Sequence, residues 1–263
     1  MTTNAVDLAA AGLDLSIEGA VATVTLNRPA RRNAMTPSMW HGLASVGMTI
    51  PDDVRVVLVR GAGPSFCAGI DLRVFSPDGV PGEQRGLDPS DPGFMDEVAG
   101  YQAGFTWLRN PSFVSVAVVQ GHAIGAGFQL ALSCDLRVLS TDAKLCMREP
   151  ELGLVPDLTG TKPLVDLVGL PRALEICVSA RTIDAAEARE LRLAEWVVSG
   201  DELDHEVSEL VKHLQRSVPE AARATKALLA QAAGNTLEQQ AAAEREAQAR
   251  LLRARASAQS PAT

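Results

Sequence analysis

Alternation of β-branched runs with helix-patterned stretches places this chain in the α/β class, with much of its sheet parallel. Three observations carry that expectation. Strand-like runs occur at Val21–Leu26 and at residues 54–59, 115–120 and 136–139; a capped amphipathic stretch follows the first of them; and beyond Arg181 the pattern turns helical.

Val21–Leu26 reads as a strand ended by the turn Asn27-Arg28-Pro29. A helix then opens at Thr36, with Pro37 suited to its first position and Trp40, Leu43 and Ala44 on one face. Pro51-Asp52-Asp53 closes it before the next strand. Residues 73–100 are rich in Gly, Pro and Asp and read as an irregular, mobile loop placed where a substrate lid would sit. In the tail, Asp184 with Glu187 forms a capping-box pattern for a helix through Leu193. Leu203, Val207, Leu210, Val211 and Leu214 share the face of another helix. A third runs over residues 219–233 to Gly234, and Thr236 with Gln239 caps the last. The expected division is a core over residues 1–198 and a helical region over 199–263 for cover and oligomerisation.

The 263 residues are 46% hydrophobic and 21% charged, ordinary usage for a globular chain able to bury a sizeable core. A net charge of −8 argues against a general nucleic-acid partner. Cys67, Cys134, Cys146 and Cys177 are scattered, which reads as reduced thiols rather than a disulfide frame or metal site. No signal peptide is visible, and no apolar run approaches the roughly 20 residues of a membrane helix. A cytoplasmic protein is expected.

Two glycine-bearing segments carry the chemistry. Ser65-Phe66-Cys67-Ala68-Gly69-Ile70-Asp71-Leu72 and Gly121-His122-Ala123-Ile124-Gly125-Ala126-Gly127-Phe128-Gln129-Leu130 each follow a β-branched run and lead into a helix-like stretch. Small residues there let backbone N–H groups approach a ligand atom. Two such groups aimed at one oxygen form an oxyanion hole for thioester or ester chemistry. His122 reads as a structural histidine in a tight turn, Asp135 as a helix terminator, and Cys67 lacks a partner histidine. The Arg/Glu-rich run over residues 244–255 reads as a solvated helix face.

These segments, with Val24-Thr25-Leu26-Asn27-Arg28-Pro29, Asn33-Ala34-Met35 and residues 149–156, resemble in order and spacing the enoyl-CoA hydratase/isomerase (crotonase) family. The resemblance implies a spiral of ββα units with a C-terminal helical region, an acyl-CoA thioester substrate, no metal and no separate cofactor, since coenzyme A is part of the substrate. It also implies a homotrimer or a dimer of trimers. It assigns the oxyanion-hole N–H groups to Ile70 and Ala126, and coenzyme A contacts to Arg28, Ala68, Asp71, Leu72 and Arg73. Three acid/base positions fall on Gln129, Glu149 and Asp157. Hydratases of the family have Glu at the first two and usually Gly at the third, so this chain departs at two of three.

A glutamine can orient a water but cannot accept its proton, so hydration by two glutamates is compromised here. A double-bond shift needs a proton removed at one carbon and returned at another, which Glu149 with Asp157 can do. Isomerisation of an enoyl-CoA is therefore the expected reaction, with hydration as runner-up. The alternatives are a non-catalytic acyl-CoA binder and a hydrolase or dehalogenase using Asp157 as nucleophile.

Overall fold

The computed structural model describes residues 7–83 and 89–259. A hairpin of β1 (Leu13–Glu18) and β2 (Val21–Leu26) leads to α1 (Pro37–Thr49) and β3 (Val56–Gly61). Helix α2 (Phe94–Thr106) precedes β4 (Val114–Val119), β5 (His122–Ile124), α3 (Ala126–Ser133), β6 (Leu136–Ser140) and β7 (Lys144–Cys146). Helices α4 (Thr161–Val168) and α5 (Leu170–Ser179) follow, then β8 (Ile183–Asp184), α6 (Ala185–Glu190) and β9 (Trp196–Val198). The chain continues through α7 (Leu203–Leu214), α8 (Pro219–Ala232) and α9 (Leu237–Gln259).

The main sheet has the order β1-β2-β3-β4-β6-β9, antiparallel at the first pair and parallel thereafter. A smaller sheet joins β5, β7 and β8. Both faces of the central strands are covered, which explains their unbroken apolar runs. Val57, Val59, Ala117 and Val119 point into the larger core with α1, α2 and α3. Their alternates Val56, Leu58, Val116 and Val118 meet Leu203, Val207 and Leu210 of α7 on the other face.

Local chemistry sets the helix ends. Thr36 accepts a hydrogen bond from Met39 N–H, and Pro37 occupies the first turn of α1, where its missing donor costs nothing. At α9 the box is reciprocal: Gln239 N–H donates to Thr236 Oγ1 and Thr236 N–H to Gln239 Oε1, at 3.2 and 2.8 Å. At α6 half of the expected box forms. Asp184 accepts from Glu187 N–H, but the Glu187 carboxylate pairs with Arg181, and the helix ends at Glu190 rather than Leu193.

Residues 73–100 are not one irregular loop. A tight turn over Leu72–Phe75 opens the segment, Val80 is buried, and Glu83 accepts from both Ser38 N–H and Ser38 Oγ at the start of α1. Helix α2 begins at Phe94, and Tyr101, Gly104 and Phe105 form its buried stripe against α1. Residues 84–88 of the expected lid lie outside the described residues.

The helices beyond residue 198 are not detached from the sheet. Lys226 of α8 donates to Asn110 O, Phe113 O and Asp135 Oδ2 at 2.7, 2.7 and 2.6 Å. Asp135 follows α3 and also accepts from Ser115 N–H and Oγ. Among the described residues no helix is long and apolar enough to cross a membrane. Lys226→Met keeps the stem and removes this staple. Because the pair is partly shielded, the variant should lose about 2 kcal/mol in urea unfolding; unchanged stability would show the staple to be idle.

Candidate active site

The two glycine segments lie side by side as if they were adjacent strands. Phe66 N–H donates to Gln120 O, Cys67 N–H to His122 O and Ile124 N–H to Cys67 O, at 2.8, 2.7 and 2.9 Å. Gly127 makes this closeness possible: a Cβ there would stand 2.6 Å from both Cys67 O and Cys67 Cβ. At Gly125 the chain turns with φ +51°, disfavoured for any residue with a side chain, and α3 starts at Ala126.

This geometry leaves two amides unused. Ile70 forms a parallel bridge with Met35, in which Met35 N–H bonds Gly69 O and Asp71 N–H bonds Met35 O. In such a bridge the N–H of Ile70 itself faces away from Met35. Ala126 N–H belongs to the first turn of a helix and has no intrahelical acceptor. Among the described residues neither group donates to a protein acceptor. Both residues line one cleft, together with Ala68, Leu72, Glu149 and Asp157.

Glu149 begins a tight turn after β7 and is 8% exposed. Gly125 N–H bonds Cys146 O, and Glu149 Oε1 lies 3.1 Å from where a Gly125 Cβ would stand. The carboxylate therefore sits against the turn that presents Ala126. Its Oε1 accepts from Gln129 Nε2 at 2.6 Å, whereas its Oε2 is buried without a hydrogen-bond partner among the described residues. Burial, with a smaller contribution from the charge of Asp157, pushes the Glu149 carboxyl above its ordinary range.

Gln129 is wholly buried, and its amide nitrogen and oxygen both hydrogen-bond protein groups. Its oxygen accepts from Leu158 N–H at 2.9 Å and Gly160 N–H at 3.1 Å. Thr159, between them, is left-handed at φ 68°, a strained state for a β-branched residue that lets both amides converge on one oxygen. Gln129 thus ties Glu149 to the loop bearing Asp157. Gln102 of α2 holds the same loop by donating to Asp157 O at 2.8 Å. The Asp157 side chain is on the cleft wall yet keeps contact with solvent. Partial desolvation also raises its carboxyl, a shift that counts for less because solvent still reaches it.

The expected coenzyme A contacts divide. Ala68 and Leu72 line the cleft; Arg28, Asp71 and Arg73 form an ion cluster beside it. Asp71 takes Arg73 Nε on Oδ1 at 2.9 Å, and Oδ2 takes Arg73 and Arg28 at 2.6 and 3.1 Å. The Arg73 guanidinium first, aided by Arg28, holds the Asp71 carboxyl down at about 2. That carboxylate braces its own loop and is not free for a ligand. Cys67 is sealed, its thiol pushed up to about 12 by burial, and His122 Nδ1 lies 3.3 Å from Ser65 Oγ. Sequence reasoning placed Trp40 on a core helix face; the structure puts it also on the cleft wall, with Leu154 and Leu158. Periodicity alone carries no signal for that second role.

The sequence profile described as Enoyl-CoA hydratase/isomerase matches residues 16–261. Solved structures of a candidate enoyl-CoA hydratase from Thermobifida fusca YX superpose closely. One, 55% identical with a TM-score of 0.92, covers 98% of this chain and 100% of that one. Another, in complex with acetoacetyl-CoA, is 57% identical with a TM-score of 0.91 and covers 96% and 100%. The peroxisomal Delta(3,5)-Delta(2,4)-dienoyl-CoA isomerase of Arabidopsis thaliana is 30% identical over 84% of this chain and 81% of its own. Carnitinyl-CoA dehydratase of Proteus mirabilis is 34% identical over 81% and 78%. The α/β architecture is thus that of the crotonase fold. The chain belongs to the enoyl-CoA hydratase/isomerase family.

A carboxyl raised by burial binds its proton more tightly folded than unfolded. Its contribution to stability is full below the ordinary value of 4.5 and is lost as pH rises through the folded value. Glu149→Gln should therefore match the wild type in melting temperature in acid and exceed it increasingly as pH rises. A constant difference across pH would contradict the assigned burial cost.

Proposed function

We propose that this chain is an acyl-CoA enzyme that moves a double bond by proton transfer. The carrying observation is the pairing, in one cleft, of two undonated amides with a carboxylate that has one oxygen held and one oxygen free. The likeness to a protein solved with acetoacetyl-CoA supports a thioester as the ligand. In this reading the thioester oxygen rests between Ile70 N–H and Ala126 N–H, which stabilise enolate charge as it develops. Glu149 Oε2 takes a proton from the carbon chain while Gln129 keeps Oε1 in place. The electron pair shifts along the chain, and Asp157, or Glu149 itself, returns a proton at the distal carbon. No atom other than hydrogen is exchanged.

Two features favour this over the alternatives. With the Gln129 amide engaged by Glu149, Leu158 and Gly160, hydration would have to draw its second acid from Asp157. An anchored, desolvated Glu149 is costly to keep, which speaks against an inert binder. The same reading gives the outer face of α9, where Leu237 and Leu252 are exposed, to contact between copies as a homotrimer or dimer of trimers. Sedimentation measures that directly.

Incubation with enoyl- and dienoyl-CoA thioesters in deuterated water, followed by mass spectrometry, should place deuterium on carbon without addition of water. Glu149→Gln should slow this by roughly a hundredfold or more; activity within a few-fold of wild type would remove Glu149 from the role. Gly160→Ala tests the Gln129 tie. Its Cβ would stand 2.6 Å from Gln129 Cγ, so kcat should fall at least about tenfold with a folded protein. Unchanged kcat would show that the tie does not matter.

A further inference from the structure

The cleft wall is part exposed and part buried. Leu72 is 58% exposed, and Arg148, Leu152 and Leu154 are exposed beside it, so they form the mouth. Trp40, 6% exposed, and Leu158, 3% exposed, are the large apolar side chains of the buried part. A large, charged coenzyme must keep to the mouth, and carbons beyond the thioester run inward. They meet Trp40.

The indole is fixed on several sides. Its Nε1–H donates to Met35 Sδ at 3.2 Å, and its ring packs on Tyr101 of α2 with centroids 4.8 Å apart. Tyr101 in turn hydrogen-bonds Glu97 and packs on His41. Helix α2 lies so close that a Cβ on Gly104 would stand 2.5 Å from Trp40 O. Swinging the indole aside would break the Met35 contact and leave a gap at Tyr101.

We infer that Trp40 is the end stop of the acyl pocket and restricts this protein to short acyl chains. The inference rests on the acyl-CoA reading and extends it to a substrate class. It makes Trp40 a specificity residue with no part in moving protons, and it is independent of which reaction follows.

Binding tests it without turnover. Titration calorimetry with free coenzyme A and with butyryl-, octanoyl- and dodecanoyl-CoA gives the chain-length profile. Wild type should bind butyryl-CoA at least about tenfold more tightly than dodecanoyl-CoA, and Trp40→Leu should cut that ratio about tenfold through a gain for the long chain. Trp40→Phe, the gentler change, should shift octanoyl-CoA in the same direction and carries the test if circular dichroism shows the leucine variant unfolded. A wild type indifferent to chain length, or a folded variant with an unchanged ratio, overturns the end stop while leaving the acyl-CoA reading standing. Binding of no acyl-CoA more tightly than free coenzyme A overturns both.

Discussion

The site depends on how closely two stretches of main chain can approach each other. Gly127 abuts Cys67, and three backbone hydrogen bonds join the segment at Phe66 and Cys67 to the strand β5 and its preceding turn. Side-chain bulk at that contact would push the segments apart. Because they touch, Ile70 is paired on one side only and Ala126 starts a helix at the same cleft. Orphan amides normally cost free energy when buried. Here both belong to residues that line one cleft.

The carboxylate follows from the same frame. β7 is bonded to Gly125, and the turn after it lowers Glu149 onto that glycine. Gln129 reaches from α3 to hold one oxygen, and its other end fastens the strained loop around Thr159. One buried amide therefore couples Glu149 to the loop that carries Asp157. Strain at Thr159 and an unpartnered oxygen on Glu149 are stability forgone for arrangement, as is common at sites that act on ligands.

Much of this was legible in the sequence, and the limits have physical causes. Strand β2, the cap at Thr36 and the apolar face of α7 were readable because each is encoded within a few neighbouring residues. Strands β5, β7, β8 and β9 span three residues or fewer, too short for any period to register. The edge strand β1 does alternate, Leu13, Leu15 and Ile17, but its exposed positions weaken the signal. The start of α2 was hidden behind a glycine- and proline-rich stretch, because its stripe appears only at Tyr101, Gly104 and Phe105. At the site, residue identities were readable and directions were not. Nothing in the order of letters says that Gln129 faces Glu149 instead of solvent, or that Asp71 is held between two arginines.

The central claim is that two main-chain amides polarise a thioester carbonyl. Difference infrared spectroscopy of an acyl-CoA carrying a carbon-13 label at that carbonyl reads the bond itself. Donation from both Ile70 and Ala126 should move the bound stretch to lower frequency than in water, since two oriented donors in a shielded cleft exceed bulk hydration. A bound carbonyl stretch equal to or higher than that in water would contradict the account.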